Sequence, residues 1–271
     1  MTNVSLFLEP KIRQDWINHC EFHPLSNREV LMQVIDETKA GLKGKSATPV
    51  LLLDLDSTLY EVGPRTYQIL KEWLASPQSG AFKAAREAIA LLKPHQVGYS
   101  IKDTFANVGL DAQKLSEAQE ALKSAKKFWT ERFFTNEYLD YDHAYPGAAD
   151  FVKEAYEHGA ELVYLTGRDE PGMGDGTRAR LLKDGFPWEV ERTHLLLKKR
   201  FEMDDLDHKS KAADYINGVG SLIASFENEP PNLIALSEVF PKAMHVFVDT
   251  IYSDRPALPK KGLYRITGFI G

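Results

Sequence analysis

The stretch from Val50 to Tyr60 reads "VLLLDLDSTLY". An apolar run ends in two aspartates, Asp54 and Asp56, and then in Ser57 and Thr58. Such a run reads as a buried strand. A buried strand that delivers two carboxylates needs something to offset their repulsion and their lost hydration. A cation between them would do so, and so would a proton shared with a substrate. Residues two apart in an extended chain point to one side, about 6–7 Å apart along the strand. That spacing can place one acid on each side of a reacting atom, provided the chain curls after Asp54.

The elements that must position this pair follow from the hydrophobic pattern. Residues 1–49 hold a helical extension, with "NREVLMQVIDETKAG" as a helix capped by Asn27 and ended by Gly41. After the strand at 50–55, the stretch 64–142 shows helical periods only: "PRTYQILKEWLAS", "AFKAAREAIALLK" and "KLSEAQEALKSAKKFWTERFF". From 143 on, strand and helix alternate. "AYPGAADFVKEAYEHGA", "GTRARLLKDGF", "HKSKAADYINGV" and "PPNLIALSEVFPKA" read as helices, and "ELVYLTG", "SLIASFENE" and "MHVFVDT" as strands. Alternation argues for an α/β fold, a doubly wound parallel sheet with helices on both faces. The expected organisation is a core of 1–63 plus 143–271, with a helical cap at 64–142 inserted after the first strand and acting as a lid.

Open parallel sheets bind ligands at the carboxyl ends of their strands. The first strand delivers Asp54, Asp56 and Thr58. "VYLTGR" delivers Thr166, Gly167 and Arg168, "HKSKAADYI" brings Lys209 and Lys211, and "FENE" brings Glu227, Asn228 and Glu229. Each residue type has a task in phosphoryl transfer through an aspartyl phosphate. One carboxylate attacks phosphorus. A second carboxylic acid protonates the leaving oxygen and later takes a proton from water. A Mg²⁺ ion lets two anions approach each other. A hydroxyl, backbone N–H groups and a lysine hold the phosphate oxygens.

"DLDST", "LTGR", "HKSKAADYI" and "FENEP", in that order, resemble the motifs of the haloacid dehalogenase (HAD) superfamily over residues 50–250. The resemblance implies a HAD-like Rossmannoid core with a C1-type cap and a Mg²⁺-dependent phosphatase acting on a small phosphate monoester. It places the nucleophile on Asp54, the acid/base on Asp56, and phosphate contacts on Thr166, Gly167 and Lys209, with Lys211 as the alternative lysine. It places the metal on Asp54, Asp56 and Glu227. The fourth motif is usually Asp-rich, so Asn228 and Glu229 also stand as metal candidates. Asp56 argues against dehalogenation, because a halide leaving group needs no proton. The alternatives are a phosphotransferase or phosphomutase on the same scaffold, and a binding protein that kept the fold and lost the metal.

Other readings account for fewer residues. A D-x-D pair also occurs in glycosyltransferases, but that leaves Thr166 and Lys209 unexplained. "GLKGKS" at 41–46 lacks the first P-loop glycine, since position 39 is Lys39. Arg168 reads as a phosphate ligand or as a partner of Asp169 or Asp175, with the structural pairing favoured. His143, His194 and His245 read as surface or core residues. Phe128, Trp129, Phe133 and Phe134 read as packing within the cap.

The chain has 271 residues, 43% hydrophobic and 27% charged, with a net charge of −6. This is the composition of a globular protein with no electrostatic pull toward nucleic acid or an anionic membrane. The one cysteine, Cys20, fits a reducing compartment and a packing role. Without a membrane-length apolar run or an N-terminal signal pattern, the expected location is the cytoplasm.

Overall fold

The computed structural model describes residues 9–43, 47–110 and 116–271. It divides the chain into two units, the first made of Met1–Tyr60, Ala144–Pro171 and Leu181–Gly271, the second of Glu61–His143 and Gly172–Arg180.

In chain order the helices are α1 (Arg13–His19), α2 (Asn27–Lys43), α3 (Gly63–Ala75), α4 (Lys83–Ala90), α5 (Ile101–Asn107), α6 (Ser116–Phe133), α7 (Ala148–Glu157), α8 (Glu170–Lys183), α9 (Asp205–Val219) and α10 (Pro230–Val239). The strands are β1 (Glu21–Phe22), β2 (Pro49–Leu53), β3 (Tyr60–Glu61), β4 (His143–Ala144), β5 (Glu161–Asp169), β6 (Thr193–Lys198), β7 (Ser221–Glu227), β8 (Met244–Val248) and β9 (Lys261–Ile266). β3 and β4 form a small sheet of their own.

The first unit is built on a seven-stranded sheet of order β1-β9-β8-β7-β2-β5-β6, and its pairs are parallel. β2 is central and buried along its whole length, which explains why its sequence is an unbroken apolar run rather than an alternating one. Val50 and Leu52 pack with Ala212 and Ile216 of α9 and Leu236 of α10. Leu53 is aligned with Phe226, whose ring lies 5.3 Å from that of Phe151 on α7. Strand side chains alternate, so α7 covers the opposite face from α9 and α10. The doubly wound parallel sheet expected from the sequence is therefore present.

Several elements differ from the sequence reading. Three further strands, β1, β6 and β9, extend the sheet to seven. β6 is half-exposed over most of its length and is flanked by charges, so its short leucine run carried little signal. β1 brings the N-terminal stretch into the sheet beside β9. Ser26, not Asn27, caps α2: its hydroxyl and N–H both reach Glu29 Oε2, at 2.7 and 2.8 Å. Asn27 instead accepts the Thr267 N–H at 3.0 Å. Gly41 lies inside α2, which runs on to Lys43; residues 44–46 of the P-loop-like stretch lie outside the described residues. Among the described residues no helix is long and apolar enough to cross a membrane.

The second unit is helical. Ile69, Leu70, Trp73, Ile89, Phe105 and Phe128 form its core, against which Trp129 and Phe133 pack. It holds a buried ion pair: Arg65 and Asp142 are fully buried, with Arg65 Nε donating to Asp142 Oδ1 at 2.8 Å. The short α5 adds to the three helical periods read from the sequence, and Ser100 caps it by accepting the Asp103 N–H.

In the first unit, His245 is a core histidine. Its Nε2–H donates to Phe240 O at 2.9 Å, which leaves Nδ1 to accept from Ser225 Oγ at 2.8 Å. Burial holds its pKa below the ordinary value, and the Lys260 charge acts in the same direction. The unfolded chain therefore takes up a proton here before the folded chain does. Stability from this site is present above the ordinary histidine range and is lost as pH falls through it, with a slope of up to about 1.4 kcal/mol per pH unit. Denaturant midpoints between pH 7.5 and about 5 should fall less steeply in His245→Asn than in the parent. Parallel curves would contradict this.

Candidate active site

β2 sits between β5 on one side and β7 on the other. The chain winds outward from β2 through β5 to β6, then crosses back to β7 and winds the other way. This reversal is the place where an open parallel sheet forms a crevice at its carboxyl edge. Asp54 follows the last residue of β2, Thr166 lies in β5, and Glu227 ends β7.

The curl required after Asp54 is present. Leu55 O accepts from the N–H groups of Thr58, Leu59 and Tyr60 at 3.1, 2.9 and 2.9 Å. Ser57 takes a left-handed conformation, φ 62°, and its N–H donates to Tyr60 O at 2.7 Å. Thr250 Oγ1 donates to Ser57 O. The turn separates the environments of the two acids. Asp54 is 6% exposed, whereas the Asp56 side chain is 33% exposed.

Asp54 is held from two sides. Its N–H donates to Phe226 O at 3.1 Å, and Thr58 Oγ1 lies 2.8 Å from its Oδ2. Thr58 is also 3.2 Å from Asn228 Oδ1; its single proton goes to the charged and closer acceptor. Asn228 Nδ2 donates to Ile251 O at 2.6 Å. Thr58 and Asn228 thus join the first and fourth motifs around one carboxylate.

Asp56 meets Arg168. Both Nε and Nη2 of the guanidinium reach Asp56 Oδ1, at 3.1 and 2.5 Å. Asp56 is a partner that the sequence reading, with Asp169 or Asp175 beside Arg168, did not offer. The motif carried no signal for it, because the two residues are 112 positions apart. Arg168 is itself buried, 2% exposed.

Thr166 is fully buried, and its Oγ1 accepts the Arg168 N–H at 3.2 Å. The β5–β6 ladder pairs Leu165 with Leu196 and next Asp169 with Lys198. Three residues, Thr166, Gly167 and Arg168, therefore oppose one. Such a bulge bends the strand and re-aims its backbone and side chains. Lys198 at the end of β6 donates to Phe201 O and Met203 O, each at 3.0 Å, so it secures the following loop. The side chains of Lys209 and Lys211 lie outside the described residues. Ile216, on the same helix, is buried against β2 and β5.

The fourth-motif acids have different surroundings. Glu227 is 1% exposed, and its Oε1 accepts the Glu229 N–H at 3.0 Å. Glu229 accepts the N–H and hydroxyl of Ser253 at 2.8 and 2.5 Å and Arg255 Nη2 at 3.2 Å. Glu229 thus anchors the segment after β8. Among the described residues no three His, Cys, Asp or Glu side chains converge as a metal-holding group. The donors beside Asp54 are carboxylate, amide and carbonyl oxygens, which suit a hard divalent ion rather than zinc or copper.

No family model matches the chain, and no curated protein matches it. Solved structures similar to it include a class C acid phosphatase from Bacillus anthracis with tungstate bound, 16% identical over 84% of this chain and 79% of that one, TM-score 0.44. CbbY from Rhodobacter sphaeroides in complex with phosphate is 17% identical over 82% of this chain and 94% of that one, TM-score 0.42. A haloacid dehalogenase-like family hydrolase from Streptococcus pneumoniae is 12% identical over 81% and 93%, TM-score 0.42. Likeness at this level carries no activity across, so the chemistry of this chain rests on its own site.

The contrast between the two glutamates is open to test. Glu229→Ala leaves Ser253 without its acceptor and should lower unfolding free energy by about 1–3 kcal/mol, read from urea denaturation. A loss under about 0.5 kcal/mol, typical of an unremarkable surface change, would contradict the anchoring role.

Proposed function

We propose that the chain is a Mg²⁺-dependent phosphohydrolase that cleaves a small phosphate monoester through an aspartyl phosphate. The observation that carries this reading is the pair Asp54 and Asp56 on one turn at the sheet's reversal point, one acid buried and one half-open. Two identical carboxylates in different surroundings suit two different tasks.

In this reading Asp54 Oδ attacks phosphorus. The bond from phosphorus to the leaving oxygen breaks as Asp56 gives that oxygen a proton. Water then attacks the same phosphorus while Asp56 takes a proton from it, and the P–Oδ bond breaks. The products are alcohol, inorganic phosphate and the restored carboxylate. Thr166, the Gly167 backbone and Lys209 hold the phosphate oxygens as charge moves. Mg²⁺, when bound, neutralises charge between nucleophile and phosphate. Asp54, Glu227 and the backbone carbonyl of Asp56 would hold it. Support for this set comes from burial: Asp54 and Glu227 occupy neighbouring strand ends, 6% and 1% exposed, where a divalent ion would offset the desolvation of both.

Asp54→Asn should lower turnover of an aryl phosphate by roughly three orders of magnitude or more. Release of inorganic phosphate equal to released phenol separates hydrolysis from transfer to a second acceptor. Near-parental turnover in Asp54→Asn would remove the nucleophile from Asp54. Glu227→Gln should raise the Mg²⁺ concentration for half-maximal activity while leaving the rate at saturating Mg²⁺ within about threefold, because a neutral oxygen still coordinates but attracts the ion less. Superimposed Mg²⁺ titrations of the two forms would take Glu227 out of the metal site.

A further inference from the structure

We propose that β6 is a docking edge for a second copy of this chain, pairing antiparallel with its own counterpart about Leu195. The proposal is independent of the chemistry at Asp54 and Asp56.

The seven-stranded sheet ends in β1 on one side and β6 on the other. β1 is two residues long, and so short an edge offers little to pair with. β6 runs for six residues and is bonded along one side only, to β5. Leu162 N–H donates to Arg192 O at 2.9 Å, so the carbonyl of Arg192 faces β5. Backbone groups alternate in direction along a strand. Those of His194 and Leu196 therefore face β5 as well, and those of Thr193, Leu195 and Leu197 point out of the sheet. The devices that blunt an edge are absent from these three positions. None is a proline or a charged residue, and the ladder to β5 is regular from Leu162 with Thr193 to Leu165 with Leu196.

Charge selects a second copy as the occupant. Glu189 and Glu191 precede β6, Lys199 and Arg200 follow it, and all four are exposed. Among the described residues none of the four has an ion pair within its own chain. Acid at one end and base at the other make the edge complementary to itself when two copies run antiparallel, the isologous arrangement of a two-fold dimer. The outward residues fix the register. Residues that exchange both hydrogen bonds stand opposite each other in an antiparallel pair. A pairing centred on Leu195 engages Thr193, Leu195 and Leu197 of both copies, Leu195 with Leu195 and Thr193 with Leu197. The same register sets Glu191 across from Lys199 of the other copy, twice. It also opposes Arg192 and Lys198, but both are turned to their own chain. Arg192 Nη1 donates to Tyr156 O and Ala160 O at 3.1 and 2.8 Å, and Lys198 Nζ to Phe201 O and Met203 O, each at 3.0 Å. Two large apolar residues that flank the strand in the chain, Val190 and Phe201, are 48% and 46% exposed.

The test is sedimentation equilibrium of the full chain across the micromolar range, with hydrogen exchange followed at the same concentrations. A monomer–dimer equilibrium is expected, and the amides of Leu195 and Leu197 should exchange more slowly as the dimer fills. Leu195→Pro removes an outward N–H without touching the ladder to β5, and should raise the dimer dissociation constant on the order of tenfold or more. Glu191→Lys and Lys199→Glu should each raise it by about three- to tenfold, and the double variant should return to within about threefold of the parent. Should Leu195→Pro unfold the chain, as read by circular dichroism, the charge series at exposed positions decides alone. A chain that stays monomeric throughout would overturn the proposal and leave the edge to a different partner. A dimer that survives Leu195→Pro, or a double charge variant that does not recover, would overturn it too, by placing the contact elsewhere.

Discussion

The carboxyl edge of the sheet depends on one turn. Leu55 O gathers three N–H groups, and Ser57 accepts a left-handed backbone so that the chain can reverse within five residues. A non-glycine residue in that conformation costs roughly 1–2 kcal/mol. The shared contacts to Leu55 O and the full bond from Ser57 N–H to Tyr60 O, at about 1 kcal/mol net per full hydrogen bond, offset it. Thr250 and Tyr145 add outside support, donating to Ser57 O and Leu59 O. The turn decides that Asp54 stays inside the sheet edge while Asp56 leans out. With an extended chain in its place, the two acids would share one face and one environment, and nothing would divide their tasks.

Electrostatics follows from that division. Asp56 has its countercharge in Arg168, 2.5 Å away at the nearest approach. Asp54 and Glu227 lie deeper. Burial of each ionised carboxylate costs several kcal/mol, and a hydrogen bond to a charged group returns about 1.5–3. The Thr58 hydroxyl is one contact that offsets this cost at Asp54. Glu229, by contrast, is engaged by Ser253 and Arg255, so a mechanical task accounts for it.

The sequence was most legible where burial is complete. Residues 50–53 form an unbroken apolar run because both faces of β2 are covered, and the alternation of strands and amphipathic helices after 143 reflects the same two-sided packing. It was least legible where a strand is half-exposed or tied only at its edge: β6 has only a short leucine run and β9 no clean alternation, since much of each is partly exposed. The roles of Asp54 and Asp56 could be framed from spacing, yet not their difference. That difference comes from a backbone turn and from an arginine 112 positions away, neither of which composition or periodicity encodes. Glu227 and Glu229 look equivalent in "FENEP". Ser253 and Arg255, 24 and 26 positions further on, tell them apart.

The central claim is covalent chemistry at Asp54, and trapping the intermediate tests it most directly. Rapid acid quench of the protein turning over an aryl phosphate, followed by reductive or hydroxylamine labelling of acyl phosphate and peptide mapping, should place the label on Asp54 and on no other carboxylate. The label should be absent when Mg²⁺ is removed. Turnover that proceeds with no acyl phosphate, or a label on Asp56 or Glu227 in place of Asp54, would contradict the account.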